Sequence, residues 1–241
     1  MASTSEVGHA KNVANFYNII SFTQGYGANY NPSKASLKSA ALQELHAQAE
    51  TSITAVQDQK TLYEGVVNSR ALKFEDIKTL STRLINALGS TDASDQTIED
   101  AKSYNRKIQG KRASKVEEPT DPNQQAPKTY STSQQSFDQL TQHFAGLISV
   151  LDNEPSYTPN ETELKVTTLK SKLQELKSSN TSVADSYTTV SNARIVRDKT
   201  LYNPENGLVD TATDVKKYVK SVYGISSNEY QQISALQFRT P

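Results

Sequence analysis

The chain has 241 residues, with 26 lysines and arginines against 26 aspartates and glutamates, so its formal net charge is zero. A chain without net charge has no long-range field that would attract nucleic acid or an anionic membrane. The sequence contains no cysteine, which excludes disulfide frameworks, thiol nucleophiles and cysteine-ligated metal sites.

The start of the chain, MASTSEVGHAKNVANFYNII, lacks the basic start and apolar run of a secretory signal. No stretch approaches the roughly 18–20 consecutive apolar residues of a membrane span. We therefore expect a soluble, cytoplasmic protein that does not associate with membranes. Glycine and proline are few, nine and eight, and the residues between them favour helices, so the predicted fold class is all-α.

The first predicted helix carries apolar residues at the i, i+3, i+4 and i+7 spacing of one helix face: Val13, Phe16, Tyr17 and Ile20. A glycine-containing turn follows, and the motif YNPSKASLK then begins at Tyr30. Pro32 fits the first position of a helix, where a missing N–H costs nothing, and Asn31 fits the cap before it. We therefore expect a very long second helix from about Pro32 to about Lys73.

A third and a weaker fourth helix complete the first half. The third ends before Gly89, a residue suited to a helix C-terminus. Residues 113–129 (ASKVEEPTDPNQQAPKT) follow; they contain three prolines and almost no apolar residue, which is typical of an extended linker. The predicted apolar positions of these two helices are Ile77, Leu80, Leu84 and Leu88, then Ile98, Ala101, Tyr104 and Ile108.

The second half repeats motifs of the first half in the same order. YTPNETELK begins at Tyr157, 127 residues after Tyr30 (157 − 30 = 127). The other matches are Phe144-x-x-Leu147-Ile148-Ser149 with Phe16-x-x-Ile19-Ile20-Ser21, LQEL at Leu173 with LQEL at Leu42, and Asn192-x-Arg194 with Asn68-x-Arg70. Four ordered matches indicate a diverged tandem duplication. We predict two four-helix-bundle-like units, each with one very long helix, at 1–112 and 130–241 on either side of the linker.

The second long helix, predicted from about Pro159 to Lys199, carries a heptad seam with steps of four and three: Leu169, Leu173, Leu176, Asn180, Val183, Tyr187 and Val190. Such a seam requires a partner helix. The third helix of this half ends before Gly224, and a last short helix is capped within SSNE, which starts at Ser226. The stretch from Val215 to Phe238, VKKYVKSVYGISSNEYQQISALQF, resembles the tails of uncharacterised bacterial helical proteins. The resemblance implies a bacterial origin and assigns no functional residue.

Residues with catalytic chemistry are scarce. None of the three histidines, His9, His46 and His143, has the Glu-x-x-His spacing of a di-metal bundle site. Gly25-Tyr26-Gly27 is not followed by the Gly-Lys-Ser/Thr of a phosphate loop, so a turn is the better interpretation. We therefore expect no enzyme activity, no catalytic residue, no cofactor and no metal site.

The candidate interaction residues form three groups. Loop tyrosines are effective interface anchors, although for any single one ordinary packing is the preferred interpretation. Polar side chains on the heptad line are candidates for ligand binding. A basic cluster could meet an acidic partner or a nucleic acid, but a solvated helix end is the preferred interpretation because no aromatic stacking residues are interleaved. These groups are Tyr26, Tyr30, Tyr157 and Tyr202; Asn180 and Arg194; and Arg106, Lys107, Lys111 and Arg112.

These patterns predict a non-catalytic structural or protein-interaction module, a scaffold or assembly unit that binds a protein partner or itself. One alternative is a helical bundle that binds a small molecule in its interior. A third is a membrane-associating helical protein, which the zero net charge and the lack of a long apolar hairpin make least favourable. Binding to nucleic acid is not expected.

Overall fold

The structure is a computed structural model that describes residues 7–110 and 135–240, and the structural statements below refer to these described residues. Their fold is all-helical, as the sequence predicts, and no β-strand occurs among them. The predicted linker 113–129 lies outside the described residues. The α-helices are α1 (Val7–Gly25), α2 (Ser39–Phe74), α3 (Ile77–Leu88), α4 (Asp95–Gln109), α5 (Phe137–Asp152), α6 (Val166–Tyr202), α7 (Leu208–Tyr223) and α8 (Asn228–Ser234).

The helices form two compact units, and neither unit coincides with a predicted half. The terminal unit contains Met1–Glu64 and Ser186–Pro241, and the central unit contains Gly65–Asp185. The division falls inside the two long helices, so α2 and α6 each contribute to both units. Each unit therefore combines segments of both predicted repeats, 1–112 and 130–241.

Helix length explains this division. The long helices α2 and α6 have 36 and 37 residues, and at about 1.5 Å per residue each is roughly 55 Å long. The other helices have between 7 and 19 residues, so each covers at most about half of a long helix. The two ends of a long helix consequently belong to different cores.

Each unit has its own core of buried apolar side chains. The helices of the first half confirm the predicted faces of α1 and α3, except that Tyr17 is 58% exposed. Core residues of the terminal unit include Val13, Phe16, Ile19, Ile20, Leu42, Leu201, Leu208, Val215, Val219 and Ile233. Core residues of the central unit include Ile77, Leu80, Leu84, Leu88, Ile108, Phe144, Leu147, Ile148, Leu169 and Leu176.

The predicted starts of both long helices are wrong by seven residues. α2 begins at Ser39 and α6 at Val166, whereas Pro32 and Pro159 lie in non-helical segments before them. A short 3-10 turn, Ala35–Leu37 in the first copy and Thr162–Leu164 in the second, separates each proline from its helix. The residues that flank each turn are extended, with ψ between 118° and 148°, so no α-helix continues through the turn.

Burial along α6 recurs every seven residues, which agrees with the predicted seam except at Tyr187, which is 55% exposed. The buried residues at this spacing are Leu169, Leu176, Val183 and Val190. In α2 the corresponding buried residues are Leu42, Ala49 and Val56, each 127 positions earlier (169 − 42 = 127). The predicted LQEL match has an offset of 131 and is therefore one helical turn out of register with the buried positions.

Two glycines are required for different reasons, one by its backbone conformation and one by close packing. α7 ends at Tyr223, and the next residue, Gly224, has a φ of 89° that favours glycine. Gly146 of α5 faces the ring of Tyr104 in α4, and a Cβ at this position would overlap that ring. Glycine thus permits the close approach of α4 and α5.

The predicted cap of α8 is confirmed at Ser227, whose hydroxyl oxygen accepts from the Tyr230 N–H at 3.1 Å.

Among the described helices, none combines the length and the apolar character that crossing a membrane requires.

Candidate functional site

The repeated tyrosine motif forms the same turn in both copies. The Tyr30 hydroxyl donates to the Leu37 carbonyl at 2.7 Å, and the Tyr157 hydroxyl donates to the Leu164 carbonyl at 3.0 Å. Both tyrosines and both leucines are at most 7% exposed. Each hydroxyl therefore satisfies a carbonyl group that the 3-10 turn leaves without a helical partner. We call these two segments, 30–38 and 157–165, the tyrosine turns.

Burial keeps the hydroxyl groups of these two tyrosines protonated. It raises the pKa of Tyr157 to about 12, with a smaller contribution from the nearby carboxylate of Glu161. It also raises the pKa of Tyr30 well above its usual value, and the neighbouring Tyr218 adds to the effect. Both hydroxyl groups are therefore neutral donors at physiological pH.

Each tyrosine turn packs against a helix of the other half of the chain. In the terminal unit the ring of Tyr30 meets that of Tyr218 edge-on, with centroids 5.3 Å apart. The Tyr218 hydroxyl accepts from the Asn31 N–H at 3.1 Å, and Lys34 forms an ion pair with Asp214 at 2.6 Å. These contacts attach the first tyrosine turn to α7.

In the central unit the second tyrosine turn forms an ion pair of opposite polarity. Glu163 in the turn pairs with Arg83 of α3. Arg83 is the seventh residue of α3 and Asp214 the seventh of α7 (83 − 77 = 214 − 208 = 6). Equivalent positions of α3 and α7 thus carry opposite charges. Each charge is opposite in sign to that of the residue it pairs with in the tyrosine turn from the other half.

The other two candidate tyrosines, Tyr26 and Tyr202, contact groups inside the terminal unit, and Tyr202 is the last residue of α6 and not part of a loop. The Tyr26 hydroxyl donates to the Glu229 carbonyl at 2.9 Å, and its ring lies 5.4 Å from that of Tyr223. The Tyr202 hydroxyl lies 2.6 Å from Nδ1 of His9. All four candidate tyrosines thus have packing contacts within their own unit.

The polar residues of the heptad line lie in different units. Asn180, in the central unit, is partly buried and its Nδ2 donates to Asp138 at 3.0 Å, while its buried Oδ1 has no hydrogen-bond partner among the described residues. Arg194, in the terminal unit, is partly exposed. The structure therefore does not bring Asn180 and Arg194 into one site.

The basic cluster is only partly described. Arg106 is exposed and lies 3.8 Å from Glu99, and the ammonium group of Lys107 lies 5.5 Å from the centre of the Tyr104 ring. Both belong to the last turn of α4, where positive charge stabilises a helix end. Lys111 and Arg112 lie outside the described residues.

Two buried basic groups were missed or underestimated from the sequence. Arg197 is 5% exposed and contacts Asp198 through Nη2 at 2.7 Å. It follows Val190 by seven residues, so continuing the heptad spacing beyond Val190 would have placed it on the buried line. His143 is 7% exposed, and burial lowers its pKa, with a further effect from Lys107. Its Nε2 has no hydrogen-bond partner in the described part of the chain.

Several large apolar side chains of the long helices are exposed in the terminal unit. Ile195 and Val196 are adjacent on α6 and are 64% and 59% exposed, and Leu62 on α2 is 60% exposed. Tyr63, next to Leu62, contacts Tyr187 of α6 with ring centroids 5.8 Å apart. We define Leu62, Tyr187, Ile195 and Val196 as the apolar set of the terminal unit.

Features that would support catalysis or ligand binding are weak. A pocket of about 260 Å³ in the central unit is lined by the ion-paired side chains of Arg83 and Lys172. A second, of about 280 Å³, lies beside Tyr26 in the terminal unit. Both are below the roughly 300–1,000 Å³ of typical small-molecule sites. The described residues contain no cluster of three or more histidine, aspartate or glutamate side chains arranged to hold a metal ion.

No family model, curated protein or solved structure matches the chain.

Proposed function

We propose that this protein is a non-catalytic protein-interaction module that self-associates through the apolar set of its terminal unit. The observation that carries the proposal is the exposure of Ile195 and Val196, two adjacent large apolar residues, on the same helix as the exposed Tyr187. Single exposed apolar residues are ordinary, whereas several close together favour an interaction surface.

Tyr187 and Ile195 lie on neighbouring faces of α6, whereas Val196, nine residues after Tyr187, lies about 180° from it around the helix. Tyr187 and Ile195 are eight residues apart, which at 100° per residue places them about 80° from each other around α6. The contact between Tyr63 and Tyr187 joins this part of α6 to the turn of α2 that carries Leu62. A partner that covers Tyr187 and Ile195 would therefore lie beside Leu62 and gain apolar contacts from both long helices.

The proposal includes an origin by duplication of a four-helix-bundle-like unit. It is supported by the matching hydroxyl-to-carbonyl bonds of Tyr30 and Tyr157, each spanning seven residues. A second parallel supports it: the buried Ser52 and Ser179, 127 residues apart, each donate to the carbonyl three positions earlier at 2.7 Å. Such a chain resembles a homodimer fused into one polypeptide.

Light scattering after size exclusion, over a wide dilution series, tests self-association. We expect the wild-type mass to exceed 26.5 kDa at high concentration and to fall on dilution. The variant Ile195→Glu/Val196→Glu should be monomeric throughout, because two charges would be buried in the interface. The control Asn192→Glu/Lys199→Gln changes exposed residues of the same helix and alters the net charge by the same −2, so it should behave as wild type.

A wild-type monomer of 26.5 kDa at every concentration would contradict the proposed self-association. The non-catalytic part has a separate test, which is incubation of the purified protein with a metabolite panel. Turnover that is lost when a polar pocket residue is replaced would contradict that part. The alternative of a small-molecule site in a bundle interior has less support, since the two pockets are small and one is lined by paired charges.

A further inference from the structure

The last described residues of the chain form a non-helical segment against the core of the terminal unit. After α8 ends at Ser234, Leu236 and Phe238 are partly buried and pack against the core cluster, while Gln237 and Arg239 are exposed. Alternation with a period of two is typical of an extended chain. We call residues 236–240 the tail.

Two asparagines of α1 hold the main chain of the tail. Nδ2 of Asn12 donates to the Arg239 carbonyl at 2.7 Å, and Oδ1 of Asn12 accepts from the Arg239 N–H at 3.0 Å. Three residues later, Nδ2 of Asn15 donates to the Gln237 carbonyl at 2.7 Å. The asparagines bind peptide groups, which every extended segment other than proline can offer, so these contacts do not depend on the tail's side chains.

A lysine of α7 binds the opposite side of the tail. Nζ of Lys216 donates to the Leu236 carbonyl and lies 5.2 Å from the centre of the Phe238 ring. The ammonium group therefore combines a hydrogen bond to the main chain with a cation–π contact. Lys216 makes an aromatic side chain favourable two residues after the carbonyl that it binds.

Asn12 is an unusual residue for its position. It corresponds to Leu140 of α5 by the offset that aligns Phe16 with Phe144 (140 − 12 = 144 − 16 = 128), and Leu140 belongs to the apolar core of the central unit. Asn12 is only 1% exposed, and a buried amide destabilises a fold unless its donors and acceptor are bonded. The tail supplies two of its hydrogen bonds and the Tyr202 hydroxyl, which accepts from Nδ2 at 3.3 Å, supplies a third, so Asn12 fits a terminal unit whose α1 binds a peptide.

We propose that the groove formed by Asn12, Asn15 and Lys216 is a peptide-binding site for an extended Leu-x-Phe segment, which the chain's own tail occupies until a partner protein's segment displaces it. The tail acts as an intramolecular competitor, because it follows α8 directly and is therefore held beside the groove by the chain itself. A partner's segment therefore needs further contacts outside the groove. The groove is separate from the apolar set of Leu62, Tyr187, Ile195 and Val196, so either proposal can fail without the other.

The test uses full-length protein and a fluorescein-labelled peptide with the sequence of residues 233–240, ISALQFRT. Three proteins are compared by fluorescence anisotropy: wild type, Phe238→Ala/Arg239→Pro, and the same variant with Asn12→Leu. Proline at position 239 removes the N–H whose hydrogen bond Asn12 accepts, and alanine at position 238 removes the ring beside Lys216. Both changes weaken the binding of the tail and leave the residues of the groove unchanged. Leucine at position 12 copies Leu140, and circular dichroism verifies that all three proteins are folded.

We expect the tail-released variant to bind the peptide at least about tenfold more tightly than the wild type, since its tail has lost the Phe238 ring and the hydrogen bond from the residue 239 N–H and competes less strongly. Adding Asn12→Leu should weaken binding at least about tenfold, while a peptide that itself carries the alanine and proline changes should not bind. A folded tail-released variant that does not bind the peptide would overturn the proposal. Equal binding by all three proteins would also overturn it, because the peptide would then lie elsewhere.

A second measurement uses the unmodified chain and does not depend on any variant. The amide hydrogen of Arg239 should exchange slowly with solvent, since Asn12 accepts it, and millimolar peptide should accelerate that exchange by displacing the tail. Fast exchange of the Arg239 amide before any peptide is added would contradict the structure of the groove. Slow exchange that the peptide leaves unchanged would refute displacement.

Discussion

Replacing the tyrosines of the two tyrosine turns by phenylalanine tests whether the repeated motif is a structural clamp. Tyr30→Phe and Tyr157→Phe each remove one buried hydroxyl and keep the ring. A typical hydrogen bond contributes about 1 kcal/mol net to stability, and a carbonyl left buried without a partner costs about 1–3 kcal/mol. Since the Leu37 and Leu164 residues that supply the carbonyls are at most 7% exposed, we expect each variant to lose about 1–2 kcal/mol.

Thermal unfolding followed by circular dichroism measures this loss. For a chain of this size about 1 kcal/mol corresponds to about 2–4 °C in Tm, so each variant should melt about 2–8 °C lower in the transition of its own unit. The effects of the two substitutions should add, because Tyr30 and Tyr157 lie in different units. Tyr17→Phe is the matched control, since Tyr17 is 58% exposed and its hydroxyl can bond water. Buried-site variants that are no less stable than this control would refute the clamp.

The remaining predictions concern packing and pH. Gly146→Ala should destabilise the central unit by about 1–3 kcal/mol through overpacking against Tyr104, whereas Gly65→Ala, with open space around the new methyl group, should stabilise α2 by up to about 1 kcal/mol; urea unfolding measures both. The pKa of His143 is lowered in the folded state from its ordinary value of 6.5. The contribution of neutral His143 to stability should therefore be complete above pH 6.5 and be lost as the pH falls below it. His143→Gln should remove that part of the decline in acid unfolding curves. The pKa of Tyr157 is raised from 10.0 to about 12, so its contribution to stability should be complete below pH 10 and be lost between pH 10 and 12, which comparison of wild type with Tyr157→Phe would detect by alkaline unfolding.

Local periodicity was sufficient to predict the helical fold. The faces of α1 and α3 follow from apolar residues three and four apart, and these residues are buried as predicted except Tyr17. The cap of α8 at Ser227 was also predictable, because its serine lies directly before a helix with an acidic first turn. These features depend on interactions between residues that are only a few positions apart in the sequence.

The starts of the long helices could not be predicted in the same way. Pro32 and Pro159 have good local signals for a helix start, yet the chain forms a 3-10 turn there. The bond that closes each turn spans seven residues, from the tyrosine hydroxyl to a leucine carbonyl. Propensity does not include such a side-chain contact, so the competing structure was missed.

The division into units depends on contacts that are still more distant. The tyrosine turns pack on α7 and α3 through pairs 180 and 80 residues apart in sequence. One signal was nevertheless present in the sequence, because Lys34 is complementary to Asp214, and Glu163 to Arg83. If each half folded on itself, Lys34 would face Arg83 and Glu163 would face Asp214, and both pairings would be repulsive.

The tail groove was missed for a related reason. Asn12 is an ordinary polar residue in a helical pattern, and its bonds reach Arg239, 227 residues away. The comparison of Asn12 with Leu140 could have identified it, since one repeat has an amide where the other has a core leucine. A polar residue at an apolar position of a repeat is therefore a useful signal.

The most direct test of the central claim, that each compact unit is built from both halves of the chain, is to produce residues 1–112 and 130–241 separately and then mix them. Light scattering and circular dichroism would follow mass and helicity before and after mixing. We predict that neither half folds alone as a stable helical monomer and that the mixture forms a 1:1 complex with the helicity of the intact chain, favoured by the Lys34–Asp214 and Arg83–Glu163 pairs. Two halves that are each monomeric and fully helical alone, and that form no complex when mixed, would contradict the account.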